Sequence, residues 1–226
     1  MNIITMASRK GGAGKSTLTA HLAAFCHQSG HRCTITDADP QGSLSLWHSL
    51  RRDGQPYLRD GARGIDRALA MAMVDGCQWA FIDTAASMWV VAQEAIRAAT
   101  LVAVPARPGF FDLNAVRETI ATARQHNKPY AVVLNSAPVK RDDKEAPAVL
   151  QSRAYFDKLG IPVWSGQISQ RTGYVLTLAA GSSIGEVAPE SAAGVEIAAL
   201  WSAIERSVAA INEAHAPGNL PRGRAA

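Results

Sequence analysis

Apolar residues along the chain gather into short, nearly continuous runs. These alternate with longer stretches whose apolar positions recur at helical spacing. Residues 3–7, 32–37, 79–83, 101–104 and 130–134 are too short for buried helices and predict strands buried on both faces. Pro105 is expected to stop the fourth of these, and residues 161–164 to form a last short strand. Helices are predicted over residues 18–29, 65–74, 89–98, 112–126, 148–159, 173–180 and 191–214. In the second of these Ala68, Leu69 and Ala72 share a face, and Asp112 is the expected N-cap of the fourth. Residues 41–52 read as a loop with a short helix around Leu44, Leu46, Trp47 and Leu50. Residues 53–64, rich in Gly, Pro and charge, read as a surface loop, and 140–144 as a charged one. Strands alternating with helices imply right-handed crossovers and an α/β fold, a mostly parallel twisted sheet with helices on both faces. Ligands of such sheets sit at the C-terminal strand ends.

At 226 residues the chain suits a single domain with a sizeable core, expected over residues 1–214, with residues 215–226 as a disordered tail. A formal charge of +4 suits a polyanionic partner without requiring one. Cys26, Cys33 and Cys77 lack metal-ligand spacing, and their odd number argues against a disulfide framework. No stretch has the signature of a signal peptide or reaches spanning length, so a cytoplasmic protein is expected.

The candidate chemistry begins at the first strand end. Arg9-Lys10-Gly11-Gly12-Ala13-Gly14-Lys15-Ser16-Thr17 lies between a strand and a helix. Glycines there let backbone N–H groups turn inward around phosphate oxygens, and the helix N-terminus adds its positive end. In such a P-loop Lys15 would reach the β- and γ-phosphates and the Ser16 hydroxyl would ligate Mg²⁺. The strict pattern fails, because its first glycine would fall on Arg9 and a second lysine, Lys10, precedes the paired glycines. K-G-G-x-G-K-[ST] resembles the deviant Walker A motif of the ParA/MinD ATPases.

That resemblance implies a P-loop NTPase fold and an ATP-dependent homodimer in which Lys10 reaches the nucleotide of the facing subunit. Gly11, Gly12, Ala13, Gly14, Lys15, Ser16 and Thr17 would cradle ATP. Thr36-Asp37-Ala38-Asp39-Pro40-Gln41-Gly42 resembles the family's D-x-D-P-Q-G switch. It implies that Asp39 orients the attacking water and that Asp37 contacts the Mg²⁺ shell. Phe81-Ile82-Asp83-Thr84 looks like a Walker B strand end, with Asp83 holding Mg²⁺ through water; Ala85-Ala86 replaces the usual prolines. Pro105-Ala106-Arg107-Pro108 resembles a supporting segment of the family in which Arg107 has no assigned role. Asn135 corresponds to a strand-end asparagine on the adenine edge.

The resemblance further implies non-specific binding of double-stranded DNA, nucleoid association and hydrolysis stimulated by a ParB-like or cargo-adaptor protein. The cargo would be a plasmid, a chromosome region or a protein cluster. Arg171 matches a DNA-contacting arginine of related proteins; Lys140, Arg141, Lys144, Arg153 and Lys158 are candidates by charge. Neutralising about six phosphates would give log affinity a slope near −5 against log salt. The chain starts at its first strand, so the short type without a sequence-specific DNA reader is expected. A MinD-like membrane protein is the alternative, but residues 216–222 have two prolines and one leucine rather than an amphipathic helix. No membrane partner is therefore expected. A dethiobiotin-synthetase-like ligase would lack Lys10. An iron–sulfur reductase-like ATPase needs cysteines after the second switch, and all three here precede it.

Overall fold

The computed structural model describes residues 1–216, and the side chains of all of these but Ala62, Phe110, Phe111, Leu113 and Asn114. Six parallel strands form one sheet: β1 (Asn2–Met6), β2 (Cys33–Ala38), β3 (Tyr57–Asp60), β4 (Trp79–Thr84), β5 (Leu101–Ala106) and β6 (Tyr130–Leu134), in the order β3-β2-β4-β1-β5-β6. Side chains alternate along each strand. Ile4, Met6, Ile35 and Phe81 enter one core with α1 (Lys15–Gln28) and α9 (Ala192–Ala214). α2 (Ser43–Ser49), α7 (Thr172–Ala179) and α8 (Ile184–Val187) contribute to the same core through Trp47, Tyr174 and Ile184. Ala80, Ile82, Val102 and Val104 face the other side, covered by α3 (Ile65–Val74), α4 (Trp89–Ala98), α5 (Phe110–Gln125) and α6 (Pro147–Lys158). α1 lies between the sheet and α9, which is why it is buried on nearly every side.

Four expectations need correction. The stretch read as a surface loop holds β3, an edge strand paired only with β2, Thr34 to Asp37 facing Tyr57 to Asp60. Its charged residues and flanking Gly and Pro, which read as loop, also suit an exposed edge. Pro105 does not stop β5; it pairs with Val133. Ala103 accepts from Ala7, so the proline two residues on turns its missing N–H toward β1 beyond the last paired residue of that strand, Met6. Residues 161–164 make one bridge, Val163 to Val132, and no strand. The chain leaves the sheet because the Trp164, Ser165 and Gly166 carbonyls turn to the Arg153 guanidinium. Gly109, not Asp112, is the N-cap of α5, with Asp112 in its first turn. The tail expected over residues 215–226 lies, from residue 217 on, outside the described residues.

Candidate nucleotide site

The C-terminal ends of β1, β2 and β4 open onto one cleft, and those of β5 and β6 onto the space beside it. β1 runs between β4 and β5 and releases the chain into the Gly-rich loop. Gly12 (φ +70°) and Gly14 (φ +93°) take left-handed conformations that side chains rarely adopt, and α1 starts at Lys15. The loop lines a cleft of about 530 Å³ together with Lys15, Ser16, Thr17, Asp39 and Ala86.

The two lysines of the loop differ in setting. Lys15 is buried and its Nζ donates to the Lys10 carbonyl at 3.4 Å. Burial lowers its pKa, while the Asp83 and Asp39 carboxylates oppose that shift. The Lys10 ammonium has no carboxylate partner among the described residues. The neighbouring Arg9 is spent on Glu118 at 3.0 Å and stacks on Trp89.

Asp37 and Asp83 stand opposite each other in the β2–β4 register. Asp83 is fully buried; the Ser16 hydroxyl lies near enough to act on it, but among the described residues no hydrogen bond of good geometry reaches either of its oxygens. Burial pushes its carboxyl up to about 7, and Asp37 adds to this, while the Ser16 hydroxyl and Lys15 act the other way. An orphaned carboxylate beside a hydroxyl at a phosphate loop fits a hard cation with oxygen ligands. Among the described residues no group of three His, Cys, Asp or Glu side chains could hold a metal alone. Mg²⁺ takes few protein ligands and completes its shell with water and phosphate. Asp37 is already committed. Its Oδ2 accepts from the Ser45 amide (2.8 Å) and hydroxyl (2.7 Å), and its Oδ1 from the Asp39 amide (3.2 Å). It shapes the turn that presents Asp39, whose own Oδ1 accepts from Gln41 N.

α2, which follows this turn, is held from behind. Trp47 donates to the Ser182 carbonyl, and Arg51, stacked on Trp47, forks onto both Glu186 oxygens. On the other side Asn135 donates one N–H of its amide to the Ala13 carbonyl at 2.7 Å, which leaves its Oδ1 and second N–H for an adenine edge. Beside it a second cleft of about 240 Å³ is walled by residues 168–171. Glu196 of α9 fixes that wall, accepting from the Ser169 amide and hydroxyl, Arg171 and the Tyr174 hydroxyl.

The cations expected to meet DNA differ in exposure and pairing. Lys140, Arg141, Lys144 and Lys158 are exposed. Arg153 holds Glu145 and three backbone carbonyls, and Arg171 pairs with Glu196 at 3.2 Å beside the second cleft. Sequence reasoning found no role for Glu196, Arg51 or Ser45, whose partners are far along the chain or in a neighbouring turn. Arg107 was visible at the end of β5 but unassigned.

A family model described as the CobQ/CobB/MinD/ParA nucleotide binding domain matches residues 4–184. Maintenance of carboxysome distribution protein A of Halothiobacillus neapolitanus is 24% identical over 186 residues, 80% of this chain and 85% of that protein. The chromosome-partitioning ATPase Soj of Thermus thermophilus is 27% identical over 152 residues, 54% of this chain and 61% of that one. Other relatives match only in part: the 36% identity with a putative replication protein A of Sinorhizobium fredii spans 33% of this chain and 19% of that one. The fold is that of apo McdA from Cyanothece (TM-score 0.70, 16% identity, 95% of this chain and 99% of that one). It is also that of Aquifex aeolicus MinD in its MinC complex (TM-score 0.72, 18% identity, 91% and 96%). Cobyrinic acid a,c-diamide synthase of Mycobacterium smegmatis, solved with an ATP analogue and magnesium, shares it as well (TM-score 0.70, 18% identity, 91% and 94%). With its phosphate loop, buried Walker B aspartate and a family match over most of its length, the chain belongs to the CobQ/CobB/MinD/ParA nucleotide-binding family.

Proposed function

We propose that the protein is a ParA-like ATPase. It binds Mg²⁺-ATP in the loop of residues 10–17, pairs with a second copy across the nucleotides, and uses hydrolysis to release itself from DNA and so position a cargo. The observation that carries this is the contrast between the two lysines of one loop: Lys15 is buried within its own site, and the half-buried Lys10 ammonium has no carboxylate partner among the described residues. A cation left without a carboxylate beside a phosphate site is available to a second nucleotide. Lys15 and the loop amides neutralise phosphate charge, Ser16 and Asp83 would hold Mg²⁺, and Asp39 lines the cleft where water would be oriented. The ion supplies neutralisation of the β- and γ-oxygens when bound. Asp37 serves this site by ordering the Asp39 turn.

The relatives named for chromosome partitioning and carboxysome distribution support a positioning role, to which this reading adds DNA as the matrix. A cytoplasmic, nucleoid-associated protein stimulated by a ParB-like or cargo-adaptor partner follows from that reading. No helix among the described residues is long and apolar enough to cross a membrane. Four exposed cations, Lys140, Arg141, Lys144 and Lys158, remain as phosphate contacts, interleaved with Asp142, Asp143 and Asp157. Four contacts give a slope of about −3.6 for log affinity against log salt. Anisotropy titrations of unrelated duplexes should show that slope with a non-hydrolysable ATP analogue, equal affinity across sequences, and weaker binding with ADP. Binding that is flat in salt, or identical with both nucleotides, contradicts the DNA role.

A further inference from the structure

Arg107 stands one residue beyond β5, directly against the phosphate loop. Its Nη2 donates to the Gly12 carbonyl. Position 12 has no side chain, and a Cβ built there would meet Nη2 at 3.1 Å, tighter than an ordinary contact. Asn135, one residue beyond β6, does the same for the next residue of the loop through the Ala13 carbonyl.

A trans peptide is planar, with the C=O of one residue opposed to the N–H of the next. Holding the Gly12 carbonyl toward Arg107 therefore turns the Ala13 N–H the other way. Holding the Ala13 carbonyl toward Asn135 likewise sets the Gly14 N–H. Both restraints come from residues directly after sheet strands, β5 and β6. A loop ordered before its anion arrives does not spend binding energy on ordering.

The charge of Arg107 is also uncommitted. Among the described residues its guanidinium makes one hydrogen bond, to Gly12, and no ion pair; the side chain is exposed and lines the second cleft, to which Thr17, Asn135 and Ser169 also contribute. Arg9, Arg153 and Arg171 are each paired with a carboxylate.

We propose that Arg107 is a positioning residue of the phosphate loop, holding the Gly12–Ala13 peptide in its anion-binding orientation and adding positive charge on the base side of a bound nucleoside di- or triphosphate. This rests on the reading of the loop as a nucleotide site, which the same experiment checks first. Mg²⁺-ADP carrying a fluorescent ribose label is titrated into the full chain and into its Arg107→Ala and Arg107→Lys variants. Loss of one charge-assisted hydrogen bond at a half-open site should weaken ADP about five- to tenfold in Arg107→Ala. Arg107→Lys, which keeps the charge, should lose less. Millimolar guanidinium ion should restore the alanine variant and leave the wild type unchanged, while the ligand-free melting temperatures stay equal.

An alanine variant that binds ADP like the wild type overturns the assignment. So does a loss that guanidinium does not rescue and that comes with a lowered melting temperature, which marks a structural residue. An unchanged ADP affinity with altered concentration dependence of hydrolysis marks an interface residue and overturns it too. Absence of ADP binding by the wild type refutes the nucleotide-site reading itself, and the assignment with it.

Discussion

Replacing Asp83 by asparagine should make the ligand-free protein more stable and abolish its response to magnesium. Asp83 is fully buried with no hydrogen bond of good geometry to either oxygen among the described residues, and burial, with Asp37 adding, raises its carboxyl from 3.8 to about 7. Between those values the folded chain binds more protons than the unfolded one, so this group's contribution falls as pH rises through the window. A shift of this size amounts to about 4 kcal/mol of lost stability once the pH exceeds about 7. Asparagine stays neutral, but its amide would still lack partners, at about 1–3 kcal/mol. The balance is a gain of about 1–3 kcal/mol, and a chain of this size shifts by roughly 2–4 °C per kcal/mol. Thermal unfolding followed by circular dichroism in chelator, at about pH 8 and about pH 5, reads this directly; at the lower pH the wild-type carboxyl is itself neutral and the gain should vanish. Adding Mg²⁺ with a non-hydrolysable ATP analogue should raise the wild type and leave the variant without the magnesium-dependent part. A variant that melts below the wild type at the higher pH without metal, or that gains equally at both, would refute the reasoning.

His21 is buried with Nε2 on the Tyr174 carbonyl and Nδ1 accepting from Ile184 N, and burial lowers its pKa to about 4. The neutral ring therefore contributes stability that is complete above about 6.5 and falls by about 3 kcal/mol as the pH drops to about 4. This slope opposes that of Asp83, so wild-type stability should change little across that window. Urea denaturation should show Asp83→Asn losing stability as the pH falls through that window and His21→Gln gaining it; parallel curves for all three would contradict both assignments. Arg51→Ala should cost about 3 kcal/mol by leaving Glu186 unpaired under α2. The further change Glu186→Gln should recover part of that in a double-mutant cycle, and additive losses would deny the coupling.

Local pattern carried most of the fold. Residues 65–74, 89–98 and 130–134 form the elements their periodicity implied, because helices and doubly buried strands impose their spacing on the chain. β3 was hidden because an edge strand with one partner needs no apolar run, and Tyr57 is sandwiched between Arg32 and Arg59 rather than in the core. α8 was overlooked although Ser183 and Glu186 form a capping box, a signal legible in the sequence. In the site, the loop of residues 9–17 and the acids at strand ends could be read because their spacing is set by one strand and one turn. The side chains that hold the loop and switch in place could not. Glu196 reaches Ser169 and Arg171 across 27 and 25 residues, and Arg107 reaches Gly12 across 95. Charge alone gave no sign that the Arg153 guanidinium closes a backbone turn.

The central claim is that two copies complete each other's nucleotide sites through Lys10. Specific ATPase activity measured against protein concentration tests it most directly. Activity per subunit should rise with concentration toward a plateau in the wild type. In Lys10→Ala it should stay near background at every concentration, although labelled ATP still binds. Wild-type activity that is independent of concentration, or a Lys10→Ala variant that hydrolyses like the wild type, would contradict the account.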